Sequence, residues 1–129
     1  MIEIPFLQTF RGPMLAGAKT MTTRFRRYGR PGDFFDAFGS IFVLTDVRRE
    51  TLGAVADNYY MPEGFSSPAG FWKCWRAIHP KRDQRGLPVW VHRFRLAKTY
   101  DRPERLGQRL KYNPSTGVFE EECFDEGNA

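Results

Sequence analysis

The chain of 129 residues, 41% hydrophobic and 16% aromatic, is long enough to close one core and too short for two ordinary domains. No stretch approaches the roughly 18 consecutive apolar residues of a membrane span, and MIEIPFLQTF at the start lacks the basic region and apolar run of a signal peptide. A cytoplasmic setting without membrane contact is therefore expected. The net charge of +5 conceals an asymmetry, because residues 118 to 129 hold five acids and no Lys or Arg, and removing them leaves 20 basic residues against 10 acidic ones. A body that basic attracts polyanions, and guanidinium groups match phosphate with a fork of donors.

In chain order, Glu3 to Leu7 reads as a short first strand. Gly12-Pro13 followed by Met14, Leu15 and Ala16 reads as one helical turn, with Gly17 at an exit that favours a left-handed backbone. Thr20 to Phe25 is rich in β-branched residues and should be extended, and Tyr28 to Asp33 (YGRPGD) is turn chemistry. The run IFVLTDV at 41 to 47 suggests a central strand. Leu52, Val55, Ala56 and Tyr59 form a helical stripe. Ser67 is placed as an N-cap with Pro68 at the first helical position, Phe71, Trp72, Trp75 and Ile78 line one side of the helix that follows, and Pro80 ends it. Val89 to Leu96 alternates, so that Trp90, Phe94 and Leu96 share a face with His92 in a last strand.

These pieces add up to an α+β fold, a mixed sheet or small barrel with flanking helices, over residues 1 to 98. Residues 99 to 129 read as a polar extension whose acidic tail is either solvated or folded back over the basic face as an electrostatic lid. Cys74 and Cys123 outline neither a disulfide framework nor a metal site, and the lone histidines His79 and His92 lack a partner cluster, so no metal and no cofactor is expected.

The stretch GAKTMTTR at 17 to 24 carries the most chemistry. A glycine permits a tight turn and close approach of a ligand, Lys19 stands where its ammonium can enter a cleft, and Arg24 lies far enough along to brace the loop or hold a second anionic group. Gly17, Lys19 and Arg24 resemble the G-x-K-x-x-x-x-R signature of the ASCH family, which is related to PUA domains. The resemblance continues through Pro31-Gly32-Asp33, Glu63-Gly64-Phe65 and the strand around Val91 to Phe94, in family order over roughly residues 5 to 97.

That resemblance implies a small PUA-like mixed β-barrel with flanking helices and a cleft in which Lys19 and Glu63 face each other. It also implies RNA or a nucleoside or nucleotide as ligand. In the family's N4-acetylcytidine amidohydrolases a lysine is the proton acceptor, a threonine three places on is the nucleophile and a glutamate is the proton donor, which transfers to Lys19, Thr22 and Glu63. Ribonuclease activity is a third association. The residues leave alternatives open. Thr22 also reads as a strand-filling threonine with Thr20 as a competing hydroxyl, and Glu63 also reads as a helix-entrance cap. Lys19 and Thr22 converge only if the lysine precedes the strand, because side chains alternate along it. The triad further requires a neutral amine, with Glu63 either itself protonated or held off the lysine until substrate arrives. Arg26, Arg27 and Tyr28, interleaved before Phe34 and Phe35, offer phosphate contacts beside a stacking surface. The rings of Phe71, Trp75 and Phe94 are expected in the core.

Overall fold

In the computed structural model, residues 1–99, 110–113 and 118–121 are described. A 3₁₀ turn at Gln8–Phe10 runs into α1 (Arg11–Leu15), followed by β1 (Met21–Arg24), β2 (Phe34–Ala37), β3 (Ser40–Thr51), α2 (Leu52–Asn58), α3 (Pro68–Ile78) and β4 (Pro88–Thr99). β5 (Leu110–Asn113) and β6 (Val118–Glu121) pair antiparallel as a separate two-stranded sheet inside the region read as a polar extension. Cys123 and most of the acidic tail lie outside the described residues.

The main sheet has the order β1-β4-β3-β2, and all three of its ladders are antiparallel. The run Ile41 to Val47 is indeed central, flanked by β2 and β4. Register shifts between Ile41 and Phe42 and between Leu44 and Asp46 break the β3–β4 ladder, and such irregularities bend a strand and increase its twist. The sheet curls into a half-barrel of the PUA-like α+β type.

Each face of the sheet carries its own core. On one face Phe94, Phe42, Leu44 and Phe35 pack with Ile4, Met14 and Leu15; Phe35 and Phe42 stack at 5.4 Å, and Phe94 meets both edge-on. On the other, Val89, Val91 and Met21 pack beneath α2 and α3 through Leu52, Val55, Ala56, Phe71 and Trp75. The odd and even positions of β4 therefore divide between two cores, as alternation requires. Phe71, Trp75 and Phe94 are core residues as expected, whereas Ile78, at the end of the α3 stripe, is 47% exposed.

The helix signals hold. Ser67 Oγ accepts from the Gly70 amide at 3.1 Å, Pro68 opens α3, and the helix stops at Ile78, two residues before Pro80. Gly17 has φ +80°, the left-handed exit expected after α1. The expected first strand at Glu3 to Leu7 does not form. Only Ile2 makes a parallel bridge to Phe35, through its amide to the Phe34 carbonyl at 2.9 Å. Pro5 has no N–H to continue a ladder, and the chain instead crosses the open side of β1, where the Pro5 carbonyl accepts from Arg24 at 2.5 Å.

Candidate functional site

Lys19 precedes β1 rather than sitting in it. Its amide and that of Ala18 both donate to the Pro13 carbonyl, so the chain turns off the end of α1 before Thr20 joins the sheet through its carbonyl to Phe94. That position frees the side chain to curl back. Lys19 Nζ donates to the Met21 carbonyl and to the Glu63 carbonyl, both at 2.8 Å, and stands 3.5 Å from Glu63 Oε1. The Phe10 ring centroid lies 4.4 Å from the same nitrogen.

Glu63 reaches the site through a tight turn. The Glu63 amide bonds to the Tyr59 carbonyl, the Gly64 amide to Met61 and the Phe65 amide to Tyr60. Gly64 has φ +105°, and an added Cβ would lie 3.3 Å from Lys19 Cβ, so glycine satisfies both the backbone conformation and the close approach. Ser67 and α3 follow within a few residues. The carboxylate is thus fixed by the same turn that launches the aromatic helix.

The two side chains are 2% and 4% exposed as residues, and burial dominates their protonation. Desolvation holds the Lys19 amine below its ordinary pKa, opposed by the Glu63 charge. Desolvation likewise raises the Glu63 carboxyl above its ordinary pKa, against the opposing influence of Lys19 and of a hydrogen bond from Thr23. Each group is pushed toward its neutral form, which is the direction the acid–base triad requires.

The structure distributes the hydroxyls differently from the residue-by-residue transfer. Thr23 Oγ1 donates to Glu63 Oε2 at 2.5 Å, whereas Thr22 Oγ1 accepts from Arg24 Nε at 3.0 Å. Both threonines are buried and both line the cavity, because β1 is an edge strand around which the cavity wraps. Thr20 is not among the lining residues. Thr23 was missed by sequence reasoning, since alternation separates it from Thr22 and Arg24 and gives no sign that an edge strand is covered on both faces.

The cavity holds about 480 Å³ between the 5–10 segment, β1, the Glu63 turn and α3. Its polar lining includes Lys19, Thr22, Thr23, Arg24, Glu63 and His79, and its walls include Phe6, Phe10, Phe65, Phe71 and Trp75. Cys74 also lines it, with its thiol pKa raised by burial. No sequence signal marked Phe6, Phe10 or Cys74 for this role.

At the mouth, cations and rings alternate. The Arg24 guanidinium lies 5.0 Å from the Phe6 ring and 5.4 Å from the Tyr28 ring, and Arg26 covers Tyr28 at 4.2 Å. Arg27 is exposed and points along the sheet toward Trp90, 5.7 Å away. Gly17 shapes the turn before Lys19 but does not line the cavity. Tyr28 is half-buried between these arginines and meets His92 edge-on at 6.0 Å.

His92 is fully buried, and burial lowers its pKa. Its Nε2 accepts from the Tyr28 amide at 3.0 Å, which assigns the neutral tautomer with the proton on Nδ1, 3.4 Å from the Thr22 carbonyl. It ties the arginine-bearing loop to the sheet. Among the described residues no group of His, Cys, Asp and Glu is arranged to hold a metal, and no helix is long and apolar enough to cross a membrane.

Comparisons with solved structures agree on the architecture. The chain is similar to the protein EF3133 from Enterococcus faecalis V583, described by the family model DUF984, with a TM-score of 0.54 and 16% identity over 75% of this chain and 80% of that one. It is similar to an ASCH domain from Lactobacillus crispatus JV V101, with a TM-score of 0.56 and 12% identity over 67% of this chain and 69% of that one. The hypothetical protein PH0355 matches with a TM-score of 0.57 and 14% identity over 71% of this chain and 94% of its own. No protein-family model matches the sequence, and no curated protein does. The chain has an ASCH-like, PUA-type fold.

Proposed function

We propose that this chain is a nucleic-acid-binding domain that takes one unpaired base, or a modified nucleoside, into the Lys19–Glu63 cavity. The observation that carries this reading is a buried amine and a buried carboxylate side by side in an aromatic-walled cavity of about 480 Å³ with arginines at its mouth. That size suits a small organic ligand. Unpaired bases are read by stacking on aromatic rings and by hydrogen bonds to their edges. Glu63 Oε2 is engaged by Thr23, and Oε1, 3.5 Å from Lys19, keeps acceptor capacity for an exocyclic amino group. Lys19 donates toward a base carbonyl, and Arg24, Arg26 and Arg27 meet phosphate. The ASCH-like fold supports the same reading. Titration with single-stranded RNA at two salt concentrations should show affinity that falls as salt rises. Absence of binding, or binding indifferent to salt, rejects it.

A second reading, hydrolysis of an acylated cytidine, is favoured by one observation: burial drives Lys19 and Glu63 toward the neutral forms that general base and general acid need. A threonine hydroxyl gives its proton to Lys19 Nζ as its oxygen attacks the amide carbon. Glu63 protonates the departing amine, and water then hydrolyses the threonyl ester. Incubation with N4-acetylcytidine should release cytidine, and Lys19→Ala should abolish release. If the wild-type protein yields no cytidine, this second reading is rejected.

A further inference from the structure

Arg24, at the cavity mouth, stands in a row that crosses three strands. Its partner on β4 is Trp90, and the partner of Trp90 on β3 is Arg49. Adjacent strands lie about 4.8 Å apart, so the row extends about 10 Å away from the cavity. Trp90 is half-exposed, with the Arg49 guanidinium 4.9 Å and the Arg27 guanidinium 5.7 Å from its ring. Arg27 Nε is anchored by the Gly29 carbonyl at 3.1 Å, so the loop presents this cation toward the sheet.

Arg48 is paired with Asp46, Arg76 with Asp83 and Arg85 with Asp57. Among the described residues, Arg26, Arg27 and Arg49 have no carboxylate partner. Asp33, in the neighbouring turn, is engaged by the Arg30 amide at 2.8 Å, and Glu50 projects from the opposite face of β3 to Arg49. A half-exposed indole between two guanidiniums without carboxylate partners offers a stacking platform flanked by phosphate donors, the combination that binds a single strand independently of its sequence.

We propose that the backbone of a single-stranded polynucleotide leaves the cavity mouth along the row Arg24, Trp90, Arg49, with a neighbouring base on Trp90 and phosphates on Arg27 and Arg49. This placement rests on the nucleotide reading of the cavity for the position of its first base. The partner is accordingly an oligonucleotide rather than a free nucleoside, since a nucleoside cannot reach the row.

The test is fluorescence anisotropy with a labelled single-stranded oligoribonucleotide across a salt series, alongside calorimetric titration with the corresponding free nucleosides. Arg27→Gln with Arg49→Gln should reduce the magnitude of the log–log salt slope by about 1.4, at about 0.7 per phosphate contact, and leave nucleoside binding unchanged. Trp90→Ala should weaken the oligonucleotide about tenfold. Arg85→Gln, an exposed and paired position, serves as the control. Both arginines of the double variant are exposed, and an unaltered thermal unfolding curve establishes that it folds. A wild-type slope and affinity in the double variant, or no oligonucleotide binding by the wild type, overturns the placement. If the wild type binds no nucleoside while the oligonucleotide slope still drops in the double variant, the row stands and the cavity reading alone fails.

Discussion

The ammonium of Lys19 bonds to the backbone carbonyl of Glu63 at 2.8 Å while standing 3.5 Å from the carboxylate of the same residue. The lysine is thus held by the turn as well as by the charge. Removing the carboxylate leaves two carbonyl acceptors in place, so the amine should keep its position and lose only the interaction that favours its charged form.

That separation has a consequence in pH. Burial raises the Glu63 carboxyl above 4.5, so the folded protein holds this proton more tightly than the unfolded chain, and stability falls as pH rises from 4.5 through the folded value. Burial lowers the Lys19 amine below 10.5, so the unfolded chain holds that proton more tightly, and stability rises as pH climbs through the folded value toward 10.5. Urea unfolding between about pH 4 and pH 10 should show that Glu63→Gln flattens the acid-side decline and that Lys19→Met flattens the alkaline-side rise, each relative to the wild type. Difference curves that are flat for both variants contradict the assigned shifts.

Gly64→Ala places a Cβ 3.3 Å from Lys19 Cβ on a backbone with φ +105°. It should cost about 1–3 kcal/mol in denaturant unfolding through backbone strain. Because the clash falls on Lys19, ligand affinity should drop in the folded variant, which a stability loss elsewhere in the chain would not produce.

His92→Leu removes the acceptor of the Tyr28 amide on a fully buried side chain and should destabilise the fold by about 1–3 kcal/mol. The loop carrying Arg26 and Arg27 should loosen with it, visible as faster hydrogen exchange at the Tyr28 amide. Retention of slow exchange there would show that this hydrogen bond does not secure the loop.

Ser67→Ala strips the N-cap of α3, whose Phe71 and Trp75 form a cavity wall. About 1 kcal/mol of stability should be lost, as chemical denaturation will measure.

Much of this was legible in the residues, for physical reasons. Ser67-Pro68 and Gly17 act through local backbone chemistry, and local chemistry can be read from a few neighbouring letters. The Lys19–Glu63 pair came from a motif resemblance, and the requirement that the lysine precede its strand is met because β1 begins at Met21. Thr23 was not foreseen, since nothing in a period of two says that both faces of an edge strand are covered. The failed strand at Glu3 to Leu7 is a case of tertiary demand winning: its apolar residues cross β1 and cover the cavity instead of pairing. Trp90 was assigned to a face correctly, but its row with Arg24 and Arg49 depends on long-range register, which no local pattern encodes.

The most direct test of the Lys19–Glu63 cavity as a base-binding site is an amide NMR titration of the wild-type protein with nucleosides, cytidine and N4-acetylcytidine among them. Saturable shifts should concentrate at Thr22, Thr23, Glu63, Gly64 and Cys74 and should be lost in Glu63→Gln, whereas an unperturbed spectrum, or shifts confined to residues remote from the cavity, would contradict the account.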